Sequence, residues 1–127
     1  MNVLRVLIVE DDDVFAAAIE GVLIDAGVTV VGRANSVAAA LRVVATQTLD
    51  VACLDINLGH EDSFPVADEL LSRAIPFVFV TGRDAKYLPD RHRNQPLVSK
   101  ADAAVEIVLA CRRAAARDIF VVVSGSV

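Results

Sequence analysis

At 127 residues the chain has the length of one domain, large enough to bury a real core and too short for a second folded unit. Hydrophobic residues make up 55% and charged residues 23%, which excludes a disordered segment. A net charge of −5 argues against nucleic-acid binding as the main activity.

Apolar runs alternate with helical periodicity from end to end, the pattern of a parallel α/β sheet. Leu4 to Val9 reads as the first strand and runs into Glu10-Asp11-Asp12-Asp13. Asp12 or Asp13 can cap a helix with Val14, Ala18, Ile19, Val22 and Leu23 on its apolar face, stopped at Gly27. Val28 to Val31 is a second strand, and Ser36 caps a helix bearing Val37, Ala40, Leu41 and Val44. Val51 to Leu54 is the third strand and stops at Asp55. Leu58 to Phe64 is loop, and Pro65 suits the start of a helix carrying Val66, Ala67, Leu70 and Leu71.

Phe77 to Val80 is the fourth strand and stops at Thr81-Gly82. Asp84 to Gln95 contains Pro89 and few periodic apolar residues, which predicts a short or irregular segment. Leu97-Val98 is the fifth strand, with Lys100 just beyond it. Ala101 to Arg117 is the last helix, with Val105, Val108, Leu109 and Arg112 on one stripe. The β-branched tail Ile119 to Val123 suits a strand, held by a dimer contact or added sheet edge, or packed on its own chain. Arg91-His92-Arg93 and Arg112-Arg113 read as solvated surface.

Cys53 and Cys111 fall in apolar runs and read as buried thiols rather than a disulfide. Without a signal peptide or a run of roughly 18 apolar residues, a cytoplasmic protein with no membrane partner is expected.

Charge inside a buried strand is costly, so the polar residues belong at strand ends, which line one crevice in an open parallel sheet. Glu10, Asp11, Asp55, Thr81 and Lys100 then converge. Adjacent acids repel one another, and a divalent cation removes that penalty. Mg²⁺ suits carboxylate oxygens, with Asp11 and Asp55 as direct ligands, Glu10 acting through water and the backbone carbonyl of Asn57 nearby. Asp55 can serve as a nucleophile towards phosphorus, Thr81 can hydrogen-bond a phosphoryl oxygen, and Lys100 can neutralise its charge. An aspartate after a strand is commonly only a helix cap. The ordered set at successive strand ends is what points to phosphoryl transfer.

With these residues in place, roughly residues 3 to 117 resemble the receiver domain of bacterial two-component response regulators. The resemblance implies a flavodoxin-like fold, a five-stranded parallel sheet of order 2-1-3-4-5 with helices on both faces. It divides the chain into a receiver at 1–117 and a hydrophobic C-terminal extension at 118–127. Carried over, Asp55 matches the phosphoacceptor, Glu10 and Asp11 the acidic pair that organises Mg²⁺, Thr81 the switch hydroxyl and Lys100 the phosphoryl-contacting lysine. Asn57 and Arg83 match positions that tune dephosphorylation. Pro76 to Gly82 and the loop Leu58 to Asp68 are similar to the "FAT GUY" group of single-domain receivers. Leu97 stands where many receivers carry an aromatic, and Ala101 where proline is usual.

The resemblance implies a signalling switch rather than a metabolic enzyme. A histidine kinase or histidine phosphotransfer protein would be the donor, and a downstream protein the target. The rival expectation is a pseudo-receiver, an interaction or dimerisation module that works without phosphorylation. An aspartyl phosphatase would need a second acid at position 57, where the chain has Asn57.

Overall fold

A computed structural model describes residues 3–82 and 88–125, the last of these (117–125) by backbone alone. The strands are β1 (Arg5–Val9), β2 (Thr29–Ala34), β3 (Val51–Leu54), β4 (Phe77–Thr81) and β5 (Leu97–Ser99). They form one sheet of order β2-β1-β3-β4-β5, and every neighbouring pair is parallel. The 2-1-3-4-5 order and the flavodoxin-like arrangement expected from the resemblance are therefore present.

The helices are α1 (Asp13–Asp25), α2 (Val37–Thr46), α3 (Phe64–Ser72) and α4 (Ala103–Gly125). Strand residues alternate between two cores, as the period of two requires. Leu7, Val9, Leu54, Phe77 and Phe79 share one face with α2 and α3. Val6, Ile8, Val51, Cys53, Val78 and Val98 share the other with α1 and α4. Because β3 and β4 are covered on both faces, their residues are buried throughout, which explains the unbroken apolar runs.

The predicted caps form. Asp12 Oδ1 accepts the Val14 and Phe15 amides at 3.0 and 3.1 Å. Ser36 Oγ accepts the Ala39 amide at 3.1 Å. Gly27 follows α1 with φ of 84°, a left-handed conformation that a side chain would strain.

Helix faces are less faithful to the sequence. In α1 the buried residues are Ala16, Ile19 and Leu23, while Val14 and Ala18 face out. Leu71 is exposed in α3. In α4 the buried stripe is Ala103, Ile107, Cys111 and Ala114; Val105 (87% exposed) and Leu109 (52%) lie outside it. Small residues on this stripe let α4 lie close to β3, β4, β5 and α1. Arg112 is also exposed, and its guanidinium donates to the Ala26 carbonyl at 3.0 Å.

Two segments depart from expectation. The tail expected as a strand instead continues α4 to Gly125. Extending a formed helix costs little per residue, and no Gly or Pro interrupts the run from Ala103 to Ser124. Between β4 and β5 the described residues hold only a 3₁₀ turn at Asp90–His92, in keeping with the irregular segment expected there. Arg83 and the start of that segment, Asp84, lie outside the described residues.

That turn also corrects the reading of Arg91-His92-Arg93 as solvated. Both arginines are exposed, but His92 is fully buried among Phe64, Phe77 and Phe79. Its Nε2 lies 2.8 Å from Asp68 Oδ1 on α3, and Arg91 clasps the same carboxylate at 2.8 and 3.0 Å. Cys53 and Cys111 are free, buried thiols, as expected. A hydrogen bond with Cys111 and burial push the Cys53 thiol well above the usual range.

Candidate functional site at the strand ends

The crevice lies where β1 and β3 end, since the chain leaves β1 for β2 on one side and enters β3 on the other. Backbone pairing fixes the floor. The Glu10 amide donates to Ala34 O at 2.9 Å, the Asp55 amide to Val9 O at 2.9 Å and the Lys100 amide to Thr81 O at 3.1 Å. Each predicted residue is thereby delivered to the same end of the sheet.

The side chains meet there. Lys100 Nζ lies 2.8 Å from Glu10 Oε1 and 3.1 Å from Asp55 Oδ2, and 4.8 Å from the centroid of the Phe15 ring. Glu10 and Asp55 are buried, and Asp11 is exposed at the mouth. One carboxylate oxygen from each of Glu10, Asp11 and Asp55 lies within 4.8 Å of the others. The buried Thr81 lines the same open cleft of about 450 Å³, along with Asp11, Asp55, Asn57, Gly82 and Lys100. Ala101 in place of proline does not displace Lys100 from the two acids.

Electrostatics follow from this packing. Burial, reinforced by the neighbouring Asp55, raises the Glu10 pKa above its ordinary value; Lys100 and the Asp12 amide only partly oppose this. Burial also works against the charge on Lys100, but Glu10 and Asp55 outweigh it and its pKa is raised. A cation held by two acids stays charged. The donor set is all oxygen, which fits a hard divalent cation such as Mg²⁺.

The loop after β3 holds the remaining pieces. Asn57 Oδ1 accepts the Gly59 amide at 3.1 Å, folding the loop back over the cleft. Gly59 has φ of 81°, and a Cβ there would meet Asp11 Oδ2 at 3.4 Å. It is the left-handed backbone of this turn, rather than lack of space, that calls for glycine. Sequence reasoning did not single out Gly59 or Phe15. A glycine just past the Asp55-Ile56-Asn57 run was the available signal for the first. Nothing in the sequence marked Phe15 as the ring beside Lys100.

A family model described as the response regulator receiver domain matches residues 6–94. The chain belongs to the response regulator receiver family. This receiver is 38% identical to SdrG from Sphingomonas melonis Fr1, whose solution structure aligns over 88% of this chain and 99% of that one with a TM-score of 0.74. It is 39% identical to the BeF₃-activated conformation of SdrG, assigned to Pseudomonas melonis Fr1, over 87% and 98% of the two chains with a TM-score of 0.71. The signal receiver domain of a modulated diguanylate cyclase from Desulfovibrio desulfuricans G20 is 26% identical over 94% and 98%, with a TM-score of 0.83. No curated protein matches the chain.

The receiver is accordingly a signal-transduction domain of the two-component type rather than a metabolic enzyme. No helix among its described residues is long and apolar enough to cross a membrane.

Proposed function

We propose that this receiver accepts a phosphoryl group on Asp55 from the phosphohistidine of a histidine kinase or histidine phosphotransfer protein. The reading is carried by one observation: a buried carboxylate, Asp55, sits 3.1 Å from a lysine ammonium and within 4.8 Å of two further acids, in an open cleft. An Asp55 oxygen attacks phosphorus, the P–N bond to imidazole breaks and an acyl phosphate forms. Lys100 offsets the charge gathered on the phosphoryl oxygens, and the Thr81 hydroxyl lies in the same cleft to donate to one of them.

Glu10, Asp11, Asp55 and the Asn57 carbonyl would hold Mg²⁺, which when bound supplies charge neutralisation for the incoming phosphoryl group. The Asn57 and Arg83 side chains would set the lifetime of the product.

The signal then leaves by protein contact. Thr81 and Lys100 are drawn towards the new charge, and the connection that follows β4 shifts with them. Beside that connection, exposed Leu97, Val105 and Leu109 line a groove of about 570 Å³ between β5 and α4, a surface for a downstream protein or a second copy. The BeF₃-activated conformation of SdrG supports a response to a phosphoryl mimic in a similar chain. Residues 1–117 would form this cytoplasmic switch and 118–127 a hydrophobic C-terminal extension.

The test is labelling by a small phosphodonor such as acetyl phosphate. Acid-stable, hydroxylamine-labile label should appear only with Mg²⁺ and vanish in Asp55→Asn. If no acyl phosphate forms with any donor, the chain is instead a phosphorylation-independent interaction module.

A further inference from the structure

We propose that Cys53 and Cys111 form a reversible intramolecular disulfide when the folded protein meets hydrogen peroxide, tying the phosphoacceptor strand to the last helix. The two sulfurs lie 3.3 Å apart, although 58 positions separate them in the chain. A disulfide needs about 2.05 Å, so closure requires a movement of just over 1 Å, within the reach of side-chain rotation and slight helix shift. Both residues are buried, at 3% and 0% exposure, so neither sulfur is presented to a thiol of another chain. The chain has no other cysteine, which leaves each with a single partner.

The placement gives the bond a consequence. Cys53 pairs in register with Ile8 of β1 and Val78 of β4, at the centre of the sheet. It precedes Asp55 by two residues. Cys111 lies on the buried stripe of α4, whose first turn follows Lys100. A covalent link would therefore fasten the strand carrying Asp55 to the helix that follows Lys100. Cytosolic disulfides are characteristically transient and redox-sensing, so such a bond is compatible with a cytoplasmic switch.

The chemistry balances with peroxide as the oxidant. One sulfur attacks the O–O bond and becomes a sulfenic acid, and a first water leaves. The second sulfur attacks the first, the S–O bond breaks, and the hydroxyl departs with the second thiol's proton as another water. Two electrons pass from the sulfur pair to the peroxide. Burial admits only a small oxidant during brief opening of α4, so the reaction is slow; the neighbouring thiol then captures the sulfenic acid before a second peroxide can.

The whole folded chain should be treated with millimolar hydrogen peroxide, quenched with catalase, unfolded, alkylated and weighed. We expect loss of two hydrogens, no alkylation, and a Cys53–Cys111 linked peptide that dithiothreitol separates. The linked protein should melt roughly 5–15 °C higher, and Cys111→Ser should show no such rise. Two alkylated thiols after unfolding, added oxygen on either sulfur, or linkage between chains would overturn the proposal. So would a linked form that melts lower than the reduced one, or an equal rise in Cys111→Ser. The mass result on the natural chain stands even if that variant folds poorly.

Discussion

Replacing Lys100 by methionine tests the electrostatic frame of the site. The ammonium stands 2.8 Å from Glu10 and 3.1 Å from Asp55, distances at which each attraction is about 5–6 kcal/mol at an effective dielectric near 20. Burying the ammonium costs several kcal/mol, and its side chain remains 30% exposed, so the net loss is well below the sum of the attractions. There is also a ceiling. Rather than keep two unpaired buried charges, Glu10 will take up a proton. Its ordinary pKa is 4.5, so protonation at about pH 7.5 costs about 4 kcal/mol. Lys100→Met should therefore lose about 3–4 kcal/mol at that pH. A carboxyl whose folded pKa is raised makes the fold bind more protons than the unfolded chain, so the deficit should shrink by up to about 1.4 kcal/mol per pH unit as pH falls towards 4.5. Millimolar Mg²⁺ should restore the variant more than the natural protein, because no ammonium then competes with the cation for Glu10 and Asp55; at about a hundredfold excess over Kd, binding contributes about 2.7 kcal/mol. Urea unfolding followed by far-ultraviolet circular dichroism at about pH 7.5 and 5.5, with and without Mg²⁺, reads all three effects. A deficit equal at both pH values and indifferent to Mg²⁺ would refute the reasoning.

Two further perturbations address the scaffold. Ile107→Ala on the buried stripe of α4 should cost about 2–5 kcal/mol, whereas Val105→Ser should stay within about 0.5 kcal/mol; equal losses in urea melts would mean α4 packs by another face. Asp68→Asn should loosen the turn at Asp90–His92, read as faster amide exchange at His92 and Arg93 with β1 and β3 unchanged. The Arg91 hydrogen bond, partly opposed by burial and helped by His92, holds the Asp68 pKa below its ordinary 3.8. The clasp is thus in full force above about 3.8 and is lost as pH falls through the lower folded value, so exchange in the natural protein should approach that of the variant only in strong acid.

The centre of the sheet was legible because β3 and β4 are buried on both faces, whereas the partly exposed edge strand β2 runs to Ala34 rather than ending at the expected Val31. Val51 to Leu54 and Phe77 to Val80 can be little else than interior strands, and the turn residues between elements fix their separation. Helix phase was less legible where a helix is apolar nearly all round. Helix α1 offers Val14, Phe15, Ala16, Ala17, Ala18 and Ile19 in sequence, and only packing against α4 and the sheet selects Ala16 and Ile19. In α4 the exposed Val105 and Leu109 drew the expected stripe away from Ala103, Ile107, Cys111 and Ala114, because three of those four buried residues are small and carry little hydrophobic signal. The tail misled for a related reason: β-branched residues favour strands only where a strand partner exists, and a helix already formed can simply continue.

The site was more legible than the helices because buried charge leaves little freedom. Glu10, Asp55 and Lys100 cannot lie within apolar strands, so they had to mark strand ends, and a parallel sheet brings those ends together. His92 shows the limit of that logic. Between two arginines it looked like solvated surface, and its carboxylate partner lies 24 positions away on α3. A titratable group whose burial depends on a remote helix and three aromatic rings leaves no periodic trace in the sequence. The same holds for Cys53 and Cys111, each legible as a buried thiol but not as the other's neighbour. Sequence pattern reports which face a residue needs; which residue it meets across that face is decided by the packing of helices on the sheet.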